Sequence, residues 1–215
     1  MDKKDFVKQL TNILEDKEQL LQEADLAMII YTIGHSSHSK EFFEFMLKEN
    51  NIELLADVRA FPGSRKWPQF SKDLLPVWLE AEGIAYEHFP KLGGRRRNSK
   101  TVDEQKNAGW RNRSFHNYAD YTLSDEFEEG IEELLKKASQ QRTAYCCSER
   151  HPSRCHRLLI SNWLVARGHQ VKHIIDGKGG TVELVDHELG LWGAPPELEN
   201  GGTVIYPANE EEATE

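Results

Sequence analysis

The stretch from Cys147 to Arg157 holds two thiols, two imidazoles, a carboxylate and three guanidiniums: Cys147, Glu149, Arg150, His151, Arg154, Cys155, His156 and Arg157. A thiol near the start of a helix and beside arginines has its thiolate stabilised, the condition for a reactive cysteine. Cys147 is therefore the candidate nucleophile, with Glu149 or a nearby histidine moving protons. The spacing differs from the phosphatase signature, which puts an arginine six positions after the cysteine, because that position here is Ser153. Read structurally instead, Cys146 and Cys147 are small apolar residues at a strand end, and Arg157 pairs with a carboxylate.

The same residue types can bind zinc. Cys147, His151, Cys155 and His156 match none of the standard zinc spacings, and an adjacent Cys155-His156 pair does not easily aim both side chains at one ion from a helix. No metal is expected, with Cys147, Cys155 and His156 as the alternative set. No cofactor is expected either, because the chain has neither a P-loop nor a dinucleotide-type glycine pattern.

Elements must bring these residues together. Met28 to Ile33, Ile52 to Val58, Ile84 to Phe89, Thr143 to Cys147 and Val171 to Ile175 read as five strands, several of them continuous apolar runs of the kind buried on both faces. Helical spacing falls between them: a helix after the Ser36, Ser37 and Ser39 turn, one that Ser71 caps and that ends near Gly83, one over about 120–139, and one over 155–167. Strand and helix alternating in this way specify a Rossmann-like three-layer α/β sandwich with a mostly parallel sheet of about five strands, spanning 27–190. Thr181 to Leu189 adds a small strand or hairpin. Apolar residues three or four apart from Phe6 to Leu21 predict a helical extension over 1–26, and the composition of 191–215, with a run of glutamates from Glu210, predicts an acidic disordered tail. Residues 90–117 read as a long polar loop.

In an open parallel sheet, ligands bind beyond the carboxyl ends of the strands. That edge collects Gly34, His35 and Ser36 after the first strand, Asp57 and Arg59 after the second, Gly93, Gly94, Arg95 and Arg96 after the third, the Cys147 segment after the fourth, and Asp176 after the fifth. His35 is a catalytic or ligand-binding imidazole, or a solvated loop histidine. Trp110, Arg111, Arg113, Phe115, His116 and Tyr118 interleave cations with rings, which suits phosphate contact and stacking on a base, or else a solvated loop whose aromatics tuck into the domain.

The chain has 215 residues, 38% hydrophobic and 29% charged, enough for one packed domain. Its net charge of -9 opposes a protein that coats nucleic acid, yet residues 54–120 carry 12 basic and 8 acidic side chains, so a local anion-binding patch is expected. No apolar run approaches the roughly 20 residues of a membrane span. Three cysteines do not form a disulfide framework and Met1 to Phe6 holds no apolar signal core, so the expected setting is reducing and cytoplasmic.

Five segments in order, Tyr31 to Ser36, Leu55 to Arg59, the Pro62 loop ending Phe70-Ser71, Leu92 to Arg95, and Cys147 and Glu149 with Cys155, His156 and Arg157, resemble the domain of unknown function 488 family over about residues 29–176. The resemblance implies a bacterial or archaeal cytoplasmic α/β protein. Its motifs fall on His35, Asp57, Arg59, Gly93, Gly94, Arg95, Cys147, Glu149, Cys155, His156 and Arg157, and it implies no particular reaction.

Two functions follow. The first is an enzyme on an anionic substrate, a phosphorylated small molecule, nucleotide or nucleic acid, with Cys147, Glu149 and His35 catalytic and Arg59, Asp57, Gly93, Gly94, Arg95, Arg96, Arg157 and Ser36 holding the substrate. The second is a non-catalytic nucleotide- or nucleic-acid-binding module in which the thiol is incidental.

Overall fold

The computed structural model describes residues 27–199 and 201–208. The helix expected within 1–26 and the glutamate run from Glu210 lie outside the described residues. The elements are β1 (Ile29–Gly34), α1 (Lys40–Glu49), β2 (Leu54–Asp57), α2 (Leu75–Ala81), β3 (Ala85–His88), α3 (Arg113–Tyr121), α4 (Asp125–Ala138), β4 (Thr143–Cys147), α5 (Arg157–Ala166), β5 (Gln170–Asp176), β6 (Val182–Asp186), β7 (Glu197–Glu199) and β8 (Thr203–Ile205). Six strands form one sheet in the order β3-β2-β4-β1-β5-β6. β1 to β5 run parallel to one another and β6 pairs antiparallel with β5. No helix among the described residues is long and apolar enough to cross a membrane.

The sheet separates two apolar layers. Phe43, Met46, Leu47, Leu75, Trp78 and Leu79, from α1 and α2, pack on one face with Tyr31, Ile33 and Cys146. Tyr118, Phe127, Ile131, Leu158 and Trp163, from α3, α4 and α5, pack on the other with Ile30, Tyr145 and Cys147. The twofold alternation of a strand thus sends the adjacent cysteines Cys146 and Cys147 to opposite faces. Ser39 caps α1 by accepting the N–H of Phe42, and Phe43, Met46 and Leu47 then fall on one buried stripe.

Four details differ from the sequence expectation. The Ser71 side chain does not cap α2, which starts at Leu75 with no side-chain cap. The helix expected over 120–139 is two helices, because Ser124 turns the chain and caps α4 by accepting the Phe127 N–H. Residues 90–117 are folded rather than an open loop: short 3-10 turns occupy Pro90–Leu92 and Glu104–Asn107, and α3 begins at Arg113. Trp110 stacks on Phe115 with centroids 4.7 Å apart, and the buried Asn107 donates to Asp120 at 2.9 Å.

The fourth is at the carboxyl-terminal end, where residues expected to be disordered form the β7-β8 hairpin. From Arg157 to Leu164 every residue of α5 is buried, so its outer side needs a cover. The segment at β8 supplies it: Val204 and Tyr206 join the same apolar layer, and Asn162 donates to the Tyr206 hydroxyl at 2.8 Å.

Candidate active site

β1 and β4 lie side by side, but α1 follows β1 onto one face and α5 follows β4 onto the other. Connections that depart in opposite directions leave a crevice at the strand ends. Here it is a cleft of about 720 Å³ that brings together His35, Ser36, Arg59, Gly94, Arg95, Cys147, Glu149, Cys155 and His156.

At its floor, three groups converge. The His156 Nε2 lies 2.9 Å from the carbonyl oxygen of Val58 and must donate its proton there, which turns Nδ1 toward sulfur: Cys155 Sγ at 3.5 Å and Cys147 Sγ at 3.9 Å. Tyr118 packs edge-on to the imidazole at 5.0 Å between centroids. A Cβ on Gly94 would overlap the imidazole, and one on Gly93 would come within 2.9 Å of the Ala60 Cα. The glycine pair, expected to cradle substrate, is thus explained by close packing over His156 and Ala60.

A hydrogen bond from the Cys155 thiol, working with His156 and Arg157 against the cost of burial, holds the Cys147 thiol well below its ordinary range. Burial and the neighbouring Cys147 thiolate push the Cys155 thiol up. Burial does the same to Cys146 on the opposite face. Among the three cysteines, Cys147 is the one whose pKa is pushed below the ordinary thiol range.

Arg157, expected to bind substrate, is instead 1% exposed and does not line the cleft. Its Nη1 donates to Thr32 Oγ1 at 2.7 Å and its Nη2 to the Glu149 carbonyl at 2.6 Å. No carboxylate pairs with it among the described residues, so this buried cation favours an anion at Cys147 through space. It also pins the loop after β4. A Cβ on Gly34 would overlap the Glu149 carbonyl, the Ser36 N–H donates to the Ser148 carbonyl at 3.0 Å, and Arg150 donates to Asp176 at 2.7 Å.

His35, Asp57 and Arg59 form a second, closed group. Arg59 donates from Nε to Asp57 Oδ1 at 2.8 Å, from Nη2 to Oδ2 at 2.6 Å, and from Nη1 to the Phe70 carbonyl at 2.8 Å. Asp57 is fully buried and also accepts from the Tyr86 hydroxyl at 2.8 Å, so it meets Arg59 rather than a substrate. His35 donates from Nδ1 to the Ser36 carbonyl at 3.0 Å and accepts from Arg59 Nη1 at 3.2 Å. Burial and the Arg59 charge push its pKa down to about 4. With both nitrogens engaged, His35 is suited to fixing Arg59 as a neutral acceptor, rather than to the proton transfer expected of it.

The rim is cationic. Lys66, Arg95 and Arg154 line the cleft, are exposed, and carry no ion pair among the described residues. Arg95 lies 5.5 Å from the ring of Phe61, which is 70% exposed. Arg96 is differently used: it donates to the carbonyls of Pro90, Lys91 and Gly93 and sits 3.6 Å from the Tyr121 ring, so it locks the turn beneath the rim. Glu149 is exposed and also lines the cleft.

Cys147, Cys155 and His156 place their donor atoms within 4.8 Å of one another, so the trio could also hold a thiophilic ion such as zinc. The carbonyl that accepts from the far side of the imidazole would orient it for that role too.

Residues 38–164 match the family described as Domain of unknown function DUF488. The chain belongs to the DUF488 family. The matched DUF488 segment carries Cys147, Glu149, Cys155, His156, Arg157, Asp57, Arg59 and the Gly93-Gly94 pair, while β1 with His35 and Ser36 precedes it. No curated protein and no solved structure matches the chain.

Sequence reasoning missed that His156 orients on Val58 and that Lys66 and Phe61 line the cleft; of the ring-and-cation stretch it singled out, Phe115 and Tyr118 line the cleft. It also missed a buried chain in which His173 meets His187 at 3.0 Å, His187 meets Asn162 at 2.8 Å, and Asn162 meets Tyr206. The apolar run Thr203 to Tyr206 after a glycine pair was the available signal for the last of these.

Proposed function

We infer that the cleft is the active site of an enzyme in which the Cys147 thiolate attacks an anionic substrate and His156 handles the proton. The observation that carries this reading is the His156 imidazole, fixed by Val58 on one side and facing the two sulfurs on the other. A nucleophile, a base within reach of it, and a third group orienting the base make up the arrangement that nucleophilic catalysis needs. His156 Nδ1 takes the Cys147 proton, and the sulfur bonds to the electrophilic centre. The imidazolium then gives its proton to the departing group. Cys155 and Arg157 stabilise the thiolate, and Lys66, Arg95 and Arg154 attract the anionic end of the substrate. The exposed ring of Phe61 offers a stacking surface, so nucleotides and nucleic-acid ends are the substrates of choice among anionic compounds. Glu149 at the rim serves as a further proton carrier.

A non-catalytic binding module is the second reading, favoured by the same rim of free cations and exposed ring. A panel of nucleotides and phosphate esters separates the two. As an enzyme, the protein turns over a panel member, Cys147→Ser abolishes turnover while retaining most of the ligand affinity, and Arg95→Ala with Arg154→Ala weakens affinity. As a module, it binds a panel member without turnover, and only the arginine substitutions matter.

A further inference from the structure

The two thiols at the cleft floor sit differently from the third. Cys147 and Cys155 both line the cleft and both face His156 Nδ1, with sulfurs within 4.8 Å, whereas Cys146 is sealed in the opposite apolar layer. All three are free thiols. Reaching a disulfide bond of about 2.05 Å requires the two sulfurs to close by less than about 3 Å. Rotation of the two side chains between staggered positions can supply that while the 148–150 loop stays tied, because Cys147 is the last residue of β4 and Cys155 lies outside helix and strand.

We propose that Cys147 and Cys155 form a peroxide-oxidisable dithiol, with Cys147 the thiol that is oxidised and Cys155 the one that resolves it. The proposal rests on the reading of Cys147 as the attacking thiol and adds a reversible modification to that site. The Cys147 thiolate attacks one oxygen of hydrogen peroxide, the O–O bond breaks, and hydroxide leaves; sulfur is oxidised to sulfenic acid and peroxide is reduced. Cys155 then loses its proton to His156 Nδ1 and its sulfur attacks the Cys147 sulfur. An S–S bond forms, the S–O bond breaks, and water leaves with the proton that His156 returns. The disulfide removes the nucleophile, and a dithiol reductant restores it. The cationic rim draws the anionic substrate, whereas neutral hydrogen peroxide reaches the sulfur without using it.

The test treats the full chain with equimolar hydrogen peroxide in the presence of a metal chelator and reads thiol titre, intact mass and linked peptides. The expected result is a fall from three titratable thiols to one, a mass lower by two hydrogens, and a Cys147–Cys155 linked peptide that dithiothreitol removes. Cys155→Ser and Cys155→Ala are each expected to stop at a dimedone-reactive Cys147 sulfenic acid, while Cys146→Ser behaves as the parent. Two outcomes overturn the dithiol and leave the nucleophile reading standing: Cys147 passing to sulfinic acid with Cys155 still free, or three intact thiols in a protein whose Cys147 still alkylates selectively. Cys147 inert to both peroxide and iodoacetamide removes both readings.

Discussion

His156 reaches back from the start of α5 to donate to the carbonyl of Val58, at the end of β2, across 2.9 Å. A main-chain acceptor on a buried strand end fixes the imidazole more rigidly than an exposed side chain would. This bond decides which ring nitrogen meets sulfur.

The packing over that ring is the first point of attack. Gly94→Ala puts a Cβ where the imidazole now sits, so the ring or the 93–95 turn must shift. Overpacking of this kind costs about 1–3 kcal/mol. The substitution is expected to slow Cys147 alkylation severalfold at neutral pH, and an unchanged rate in a folded Gly94→Ala protein would contradict the role given to His156.

The rim should discriminate between reagents by charge. Iodoacetate and iodoacetamide alkylate the same sulfur, but one is an anion, so the ratio of their rates at Cys147 reports the local field. Arg95→Ala with Arg154→Ala is expected to lower the iodoacetate rate several times more than the iodoacetamide rate at low salt, and added salt should erase the difference. Equal effects on the two reagents would show that these cations do not face the sulfur.

Arg157 is a buried cation with hydrogen bonds to Thr32 and Glu149 and a tie to the loop that carries Glu149. Arg157→Met keeps much of the volume and removes the charge and its donors. Denaturant unfolding should show a loss of about 2 kcal/mol, and the Cys147 alkylation profile should move to higher pH. A stability loss with an unmoved profile would leave Arg157 a loop anchor alone.

Acid should destabilise the fold through its buried histidines. Burial pushes the pKa of His35 down to about 4, His187 to about 4 and His173 to about 2. The unfolded residues titrate near the ordinary value of about 6.5. Between those limits the unfolded chain binds protons that the folded chain refuses, so stability rises with pH there and is lost as pH falls below about 6.5. The urea midpoint is expected to drop between about pH 7 and pH 5, with proton uptake on unfolding. A flat midpoint over that interval would contradict the buried neutral histidines.

The parallel sheet is legible in the sequence because β1, β2 and β4 are short apolar runs, and the strand-end rule then points at the cleft. The convergence of Cys155 and His156 was not legible. Their adjacency argued against a shared target on a helix, but α5 begins only at Arg157, and Cys155 has extended backbone at φ -139° and ψ 147°. The two side chains are therefore free to meet. The roles of His35, Asp57 and Arg157 were hidden for another reason: a polar residue at a strand end reads identically in sequence whether it faces the cleft or closes on a neighbour. Charged composition likewise masked the terminal hairpin, whose place is set by the buried outer side of α5.

The central claim is tested most directly by the pH dependence of iodoacetamide alkylation at Cys147, followed by peptide mass in the parent, His156→Gln and Cys146→Ser proteins. Cys155 is kept, because its hydrogen bond is the leading cause of the lowered Cys147 pKa. The account predicts an inflection well below the free-cysteine value of about 8.5 in the parent and Cys146→Ser proteins, and a rise toward it in His156→Gln. An inflection at or above that value in the parent would contradict it.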